Sequence, residues 1–206
     1  MVPRLHSYVI DHDYGFAPNP FYGVCTLATC KPKIRKYAGL GDYIVGTGCA
    51  KRLRRGYLVY FMRVDEITSF DAYWRDQRFR TKRPLLRGSK KQGYGDNIYH
   101  HDRTGHWKQE DSFHSRPGRH HLENLEHDTK TTDRVLMGRD FAYWGGFGPK
   151  IPARFRSWKG YDICSGRGHQ NRFPPELITA FIAWLRGLGK TGFLAKPLDW
   201  QRKDSG

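Results

Sequence analysis

Long apolar runs are missing from this chain: none approaches the eighteen or so residues that a membrane-spanning helix needs, and no strongly amphipathic basic helix stands in for one. Residues Met1 to Ile10 also lack the charged and apolar regions of a signal peptide, so we expect a cytoplasmic protein. Cysteine is sparse. The four residues Cys25, Cys30, Cys49 and Cys164 are too few and too scattered over 206 residues for a disulfide framework. A zinc set of Cys25, Cys30, Cys164 and His169 has loose spacing, and an extended segment turns Cys25 and Cys30 to opposite faces, so no metal or other cofactor is expected. Acid is the scarcest property. Twenty Asp and Glu face 36 Lys and Arg, a net charge of +16, in a chain that is 15% aromatic and therefore not disordered. Such a surplus points to a polyanionic partner, nucleic acid first.

What the chain does contain follows in order. His6 to Ile10 reads as a first strand. Gly15-Phe16-Ala17-Pro18-Asn19-Pro20-Phe21-Tyr22-Gly23 is excluded from regular structure by its prolines and glycines and holds aromatic rings in a fixed loop. Cys25 to Ala28 is short and apolar. Lys31-Pro32-Lys33-Ile34-Arg35-Lys36 starts a helix at its proline, and its cations favour a bound anion such as phosphate. Strands follow at Tyr43 to Gly46 and Tyr57 to Val64, joined by a basic tip carrying Lys51, Arg52, Arg54 and Arg55. Ser69 caps a short helix. From Arg75 to Lys91 eight cations (Arg75, Arg78, Arg80, Lys82, Arg83, Arg87, Lys90 and Lys91) meet one acid, Asp76, a tract suited to phosphate contact.

Residues 93 to 102, Gly-Tyr-Gly-Asp-Asn-Ile-Tyr-His-His-Asp, pack a carboxylate, an amide, phenols and imidazoles behind two turn-forming glycines. A loop projecting these groups into a cleft is the leading active-site candidate, with a solvated polar loop as the plain alternative. Residues 102 to 132 read as a long irregular, histidine-rich insertion that faces nucleic acid as a mobile loop. Arg134 to Met137 and Phe141 to Trp144 read as a closing hairpin. The run Gly145 to Pro149 lacks the lysine and hydroxyl of a phosphate-binding loop. Pro175 to Leu188 is an amphipathic core helix.

Two resemblances emerge. Residues 6 to 80, with the Gly41-Asp42 turn and Ser69-Phe70-Asp71-Ala72-Tyr73-Trp74, resemble PUA-like domains of the EVE type, small twisted β-barrels that bind modified bases. The segments Gly15 to Phe21, Cys25 to Arg35, Tyr94 to His100 and Glu126-His127-Asp128-Thr129 resemble the second of the nucleotide-modification-associated domain families over nearly the whole chain. That group is associated with phage and defence DNA carrying modified bases. The chain is also similar to prokaryotic antiviral DNA glycosylases that remove glucosylated hydroxymethylcytosine. These resemblances imply an α+β fold with a PUA-like barrel core in one domain of residues 1 to 206, acting as a monomer on double-stranded phage DNA. They transfer no catalytic residue.

A glycosylase must extrude its base, hold it and stabilise an oxocarbenium-like sugar. Asp96 is the first candidate for that carboxylate and Asp42 the second. Asn97 would orient water or read the base, and Tyr99 and His100 would donate to the leaving base or its sugar. Lys31 is the candidate nucleophile should an imine form. Asn19 and Tyr22 are placed at the substrate, and Phe16, Phe21 and Tyr22 would fill the gap left by the base. Lys33, Arg35, Lys36, Arg54, Arg55, Arg78, Arg80, Lys82, Arg83, Arg87, Lys90 and Lys91 are the expected DNA contacts. The rival from another class is a reader that binds the modified base without cutting. A nuclease finds no carboxylate-lysine motif or metal cluster here.

Overall fold

Alternation of period two builds the central sheet. In β1 (Leu5–Ile10), β3 (Tyr43–Gly48) and β4 (Leu58–Arg63) successive side chains enter opposite apolar layers, which is why these strands read as almost continuously hydrophobic. The computed structural model describes residues 2–115, 118–164, 166 and 168–201. Between β1 and β3 lie β2 (Cys25–Leu27) and α1 (Pro32–Tyr37); after β4 come β5 (Glu66–Thr68) and α2 (Phe70–Arg75). The remaining elements are α3 (Lys90–Gly93), β6 (Tyr99–His101), β7 (Trp107–Gln109), α4 (Leu122–Thr129), β8 (Val135–Gly138), β9 (Phe141–Tyr143), β10 (His169–Gln170), α5 (Pro175–Gly187) and β11 (Gly192–Phe193).

The large sheet has the order β10-β1-β3-β4-β9-β11, with β1 and β3 parallel and in register from Leu5 opposite Tyr43 to Ile10 opposite Gly48. A parallel pair needs a long crossover, and the aromatic loop, β2 and α1 supply it. One face of this sheet packs Leu5, Val45, Phe61 and Ala142 against Leu177, Phe181 and Leu185 of α5. The other packs Tyr8, Ile10, Ile44, Tyr60 and Met62 against Cys25, Leu27 and Leu136, the inner face of a three-stranded sheet ordered β2-β8-β5. A third apolar cluster, with Phe16, Phe70, Tyr73, Ile98, Tyr99 and Leu125, lies beneath the segment after residue 100.

Three expectations change. The fold is mixed α and β as expected, but among the described residues the strands form open sheets of six, three and two and close no barrel. Val135–Gly138 and Phe141–Tyr143 do not form a hairpin with each other: β8 pairs with β2 and β5, and β9 with β4 and β11, so the chain changes sheet at Arg139 and Asp140. The histidine-rich insertion is irregular only in part among the described residues. β7 pairs with β6, and the α4 helix follows, both tied down by polar side chains bonding to backbone: Gln109 Oε1 accepts from His121 N at 2.6 Å and Asn124 Nδ2 donates to His114 O at 2.8 Å. Side-chain amides replace the apolar periodicity that sequence patterns detect.

Phe181 of α5 is fully buried and edge-on to Phe155 at 5.2 Å between ring centroids. Phe181→Ala is expected to cost about 3–5 kcal/mol, read as a lower urea midpoint with an unchanged denaturant slope.

Candidate active site

A cavity of about 380 Å³ opens beyond the carboxyl end of β1 and is lined by Tyr8, Ile10, Asp11, His12, Tyr14, Phe16, Ala17, Cys30, Lys31, Phe113 and His114. Carboxyl ends of parallel strands, where the chain departs into a crossover, are a recurrent place for ligands. Aromatic rings form most of the wall. Tyr14 stacks on Tyr94 and meets Phe113 at 4.7 Å, and its carbonyl accepts from the Trp200 indole at 2.8 Å. A second cavity of about 410 Å³ adjoins it, lined in part by Lys51, Arg55, Gly166 and Gly168, and shares Asp11 and Lys31 with the first.

At the first cavity a thiol, an imidazole and a carboxylate stand in line. Cys30 Sγ lies 3.6 Å from His114 Nε2, and His114 Nδ1 lies 3.3 Å from Asp128 Oδ2, at ion-pair rather than hydrogen-bond alignment. Asp128 Oδ1 also accepts the Cys30 backbone N–H at 2.7 Å. The sequence arranges this through a kink: Cys30 (φ 55°) and Lys31 (φ 45°) are consecutive non-glycine residues in the left-handed region, each costing about 1–3 kcal/mol. The kink ends β2 and starts α1 at Pro32. It is held by Arg35, wholly buried, whose Nε donates to Cys30 O at 2.9 Å and whose guanidinium also reaches the Arg134 and Asp128 carbonyls. His114 is fixed through its carbonyl by Gln109 and Asn124, and its ring lies 4.5 Å from that of Phe16.

The electrostatics follow from burial and pairing. Burial alone would push the Asp128 carboxyl up, but the His114 imidazole beside it, the hydrogen bond with His127 and the charge of Arg35 hold it down at about 2. Burial alone would lower His114, yet Asp128 and Cys30 outweigh it and raise the imidazole to about 9. The ring therefore carries a proton at neutral pH. Asp11, half exposed at the cavity rim, is held below the usual carboxylate range chiefly by Cys49, with help from Lys51, and is ionised.

The residues expected from sequence lie elsewhere. Asp96 is fully enclosed: Thr26 Oγ1 donates to it at 2.6 Å and Tyr73 OH at 2.9 Å. Beside it Lys82, also enclosed, donates through Nζ to Asn19 O, Asn19 Oδ1, Val24 O and Thr26 Oγ1. Burial pushes Lys82 down to about 8 and Asp96 up, each offset by the charge of the other. A Cβ at Gly95 would sit 2.3 Å from Lys82 O, so glycine is required for this approach. Lys82 thus ties the aromatic loop to the Gly93-to-His100 segment and does not reach a DNA phosphate, and Asp96 cannot meet a sugar without this knot opening.

Asn97 is buried and bonds the Tyr73 and Phe79 carbonyls, and Asn19 bonds Tyr94 O and Gly15 O. Phe21 is buried against Phe193 and Trp200, so it fills core rather than a gap in DNA. His100 stacks on Trp74 at 4.2 Å and bonds Glu110 at 2.9 Å, away from the cavity. Asp42 is a clamp for the chain start, accepting from Arg4 N, Arg4 Nε and Gly39 N. Tyr99 is buried, and its hydroxyl donates to Asp128 Oδ2 at 3.0 Å, one step behind the imidazole. Of the residues expected at the site, Lys31 and Phe16 line the cavity.

Of the expected DNA contacts, Arg35 and Lys82 are interior. Arg83 lies over the Trp74 ring and bonds Trp74 O, Arg54 lies over Tyr57, Lys91 lies over Tyr22, Lys90 bonds Trp200 O, and Arg78 is paired with Glu66 and Asp76. Lys33, Lys36, Arg55, Arg80 and Arg87 are exposed and, among the described residues, have no carboxylate partner. Of the zinc candidates, Cys25 is buried under the sheet and Cys164 lies in the other core layer. Among the described residues no group of three or more His, Cys, Asp and Glu is arranged to hold a metal.

Because the folded carboxyl of Asp128 sits near 2 against 3.8 when free, its contribution of about 2 kcal/mol is present above pH 4 and lost as pH falls toward 2. His114 has the opposite sign: its raised value stabilises the fold below pH 6.5, and the gain disappears as pH rises through 9. In urea titrations the deficit of Asp128→Asn relative to the unsubstituted chain is expected to shrink between pH 4 and 2. That of His114→Gln should shrink between pH 7 and 9.5; a deficit constant with pH would contradict both assignments.

No curated protein and no solved structure matches the chain. The match that exists is at the level of a family model and runs from residue 2 to residue 204. That span takes in the kink at Cys30, the arm bearing His114 and the helix bearing Asp128, and on it the chain belongs to the nucleotide modification associated domain 2 family.

Proposed function

We propose that this chain is a DNA glycosylase that extrudes a bulky modified cytosine, glucosylated hydroxymethylcytosine, from double-stranded DNA into the first cavity and cuts its N-glycosidic bond, leaving an abasic site. The observation that carries this reading is one ring-walled cavity with ionisable groups at its rim and floor, adjoining a second cavity lined by cations. A flat base stacks between Tyr14, Phe16 and Phe113, while Lys31, Lys51 and Arg55 take the flanking phosphates. Ionised Asp11, common to both cavities, then faces the sugar between them, where a carboxylate stabilises developing positive charge on C1′ and C4′-linked oxygen. The family's association with nucleotide modification supports the choice of a modified base over an ordinary one. A reader would use the same rings but has no need of the carboxylate.

Incubation with phage DNA bearing the modified base should release that base, seen by mass spectrometry, and leave aldehyde-reactive abasic sites, with no release from unmodified DNA. Selective retention of the modified DNA without release would establish a reader instead. Asp11→Asn is expected to slow release by roughly a hundredfold with DNA affinity little changed. Lys51→Ala with Arg55→Ala should weaken binding to all DNA and reduce the slope of log K against log salt by about 2.

A further inference from the structure

We propose that Cys30 is the nucleophile of this site, forming a covalent thioglycosyl intermediate with C1′ of the target nucleotide while His114 protonates the departing base. This rests on the glycosylase reading and deepens it. The geometry is that of a nucleophile, a base and an orienting carboxylate in sequence: Sγ to Nε2 at 3.6 Å, Nδ1 to Oδ2 at 3.3 Å, with Asp128 fully buried behind. Both reactive side chains line the same cavity as the rings that would hold the base. Cys25, by contrast, is buried in the core, where burial pushes its thiol well up, and neither it nor Cys49 nor Cys164 lines this cavity.

The placement of Cys30 also differs from that of a thiol used only for packing. It stands at the first of two left-handed non-glycine residues, a conformation kept by Arg35 and Asp128 rather than by local preference. Asp128, Tyr99 and Arg35 form the support: Tyr99 OH and the Cys30 N–H take one carboxylate oxygen each, leaving Oδ2 shared with the imidazole. Asp128 is thus a positioning residue, acting through His114.

The step balances as a double displacement. With the pair in its thiolate and imidazolium form, the Sγ electron pair forms the S–C1′ bond as the C1′–N1 bond breaks. The departing base takes the electron pair from that bond and a proton from His114 Nε2, and leaves neutral. Water then attacks C1′, giving a proton to the now neutral imidazole. The C1′–S bond breaks with its electrons returning to sulfur, which restores the ion pair. The net change is one water consumed, one free base and one abasic site formed, with no redox partner. Ionised Asp11 at the rim stabilises the positive charge that develops on the sugar in both displacements.

The test uses the full chain with phage DNA bearing the glucosylated base, quenched in acid, digested with nuclease and trypsin, and mapped by mass spectrometry. The expected result is a deoxyribose phosphate remnant on the Cys30 peptide that rises and decays with base release. Cys30→Ala and Cys30→Ser should each lose the adduct and slow release by roughly a hundredfold or more, with DNA affinity and melting temperature unchanged. Iodoacetamide should label Cys30 ahead of the three buried cysteines, abolish release, and be blocked by the modified DNA. His114→Gln should reduce adduct formation while leaving binding intact. Release by Cys30→Ala at the unsubstituted rate, or by the alkylated protein, would overturn the nucleophile while leaving the glycosylase standing. No release by the unsubstituted chain would overturn both.

Discussion

A single buried carboxylate, Asp128, holds four parts of the chain together. Its oxygens and carbonyl take the backbone of Cys30, the hydroxyl of Tyr99, the rings of His114 and His127 and the guanidinium of Arg35. A charge with no water around it is tolerable only when every lone pair is engaged, and an unpaired one would cost several kcal/mol. The α4 helix, the crossover kink, the β6 strand and the arm after β7 are therefore not independently adjustable. They meet at this residue, and the cavity takes its shape from that meeting.

A second polar knot lies on the neighbouring side of the same loop. Lys82, Asn19, Thr26, Asp96 and Tyr73 satisfy one another in the absence of solvent, and the aromatic loop from Gly15 to Gly23 is strung between this knot and the first. The two do different work. Lys82 and Asp96 have every near neighbour inside the fold, whereas Asp128 passes its influence outward through His114 to a ring that lines open space. That contrast separates a polar cluster that fixes a loop from one that serves a cavity.

Much of the frame was legible in the sequence because it obeys simple periods. The strands at 5–10, 43–48 and 58–63, the proline-started α1, the Ser69 cap with Oγ accepting from Ala72 N, and the α5 stripe all lie where alternation, helical spacing and capping chemistry put them. The insertion was misread because its order comes from amide and imidazole side chains bonded to backbone, which leave no period. The dense polar run at 93–102 drew attention to Asp96 for the right chemical reasons, but density of polar residues cannot distinguish a cleft from a buried network. Cys30, His114 and Asp128 are separated by 84 and 14 positions, and only the family segments around Cys30 and Asp128 marked two of them. Nothing in the spacing marked His114, or Asp11 at the end of β1.

The left-handed pair at Cys30 and Lys31 has a consequence for the order in which the protein matures. An emerging chain has no reason to adopt that kink until Asp128, almost a hundred residues later, is available to accept the Cys30 N–H. Before then the thiol and its imidazole partner are strangers. Assembly of the thiol, imidazole and carboxylate is thus deferred until the chain has been made as far as α4.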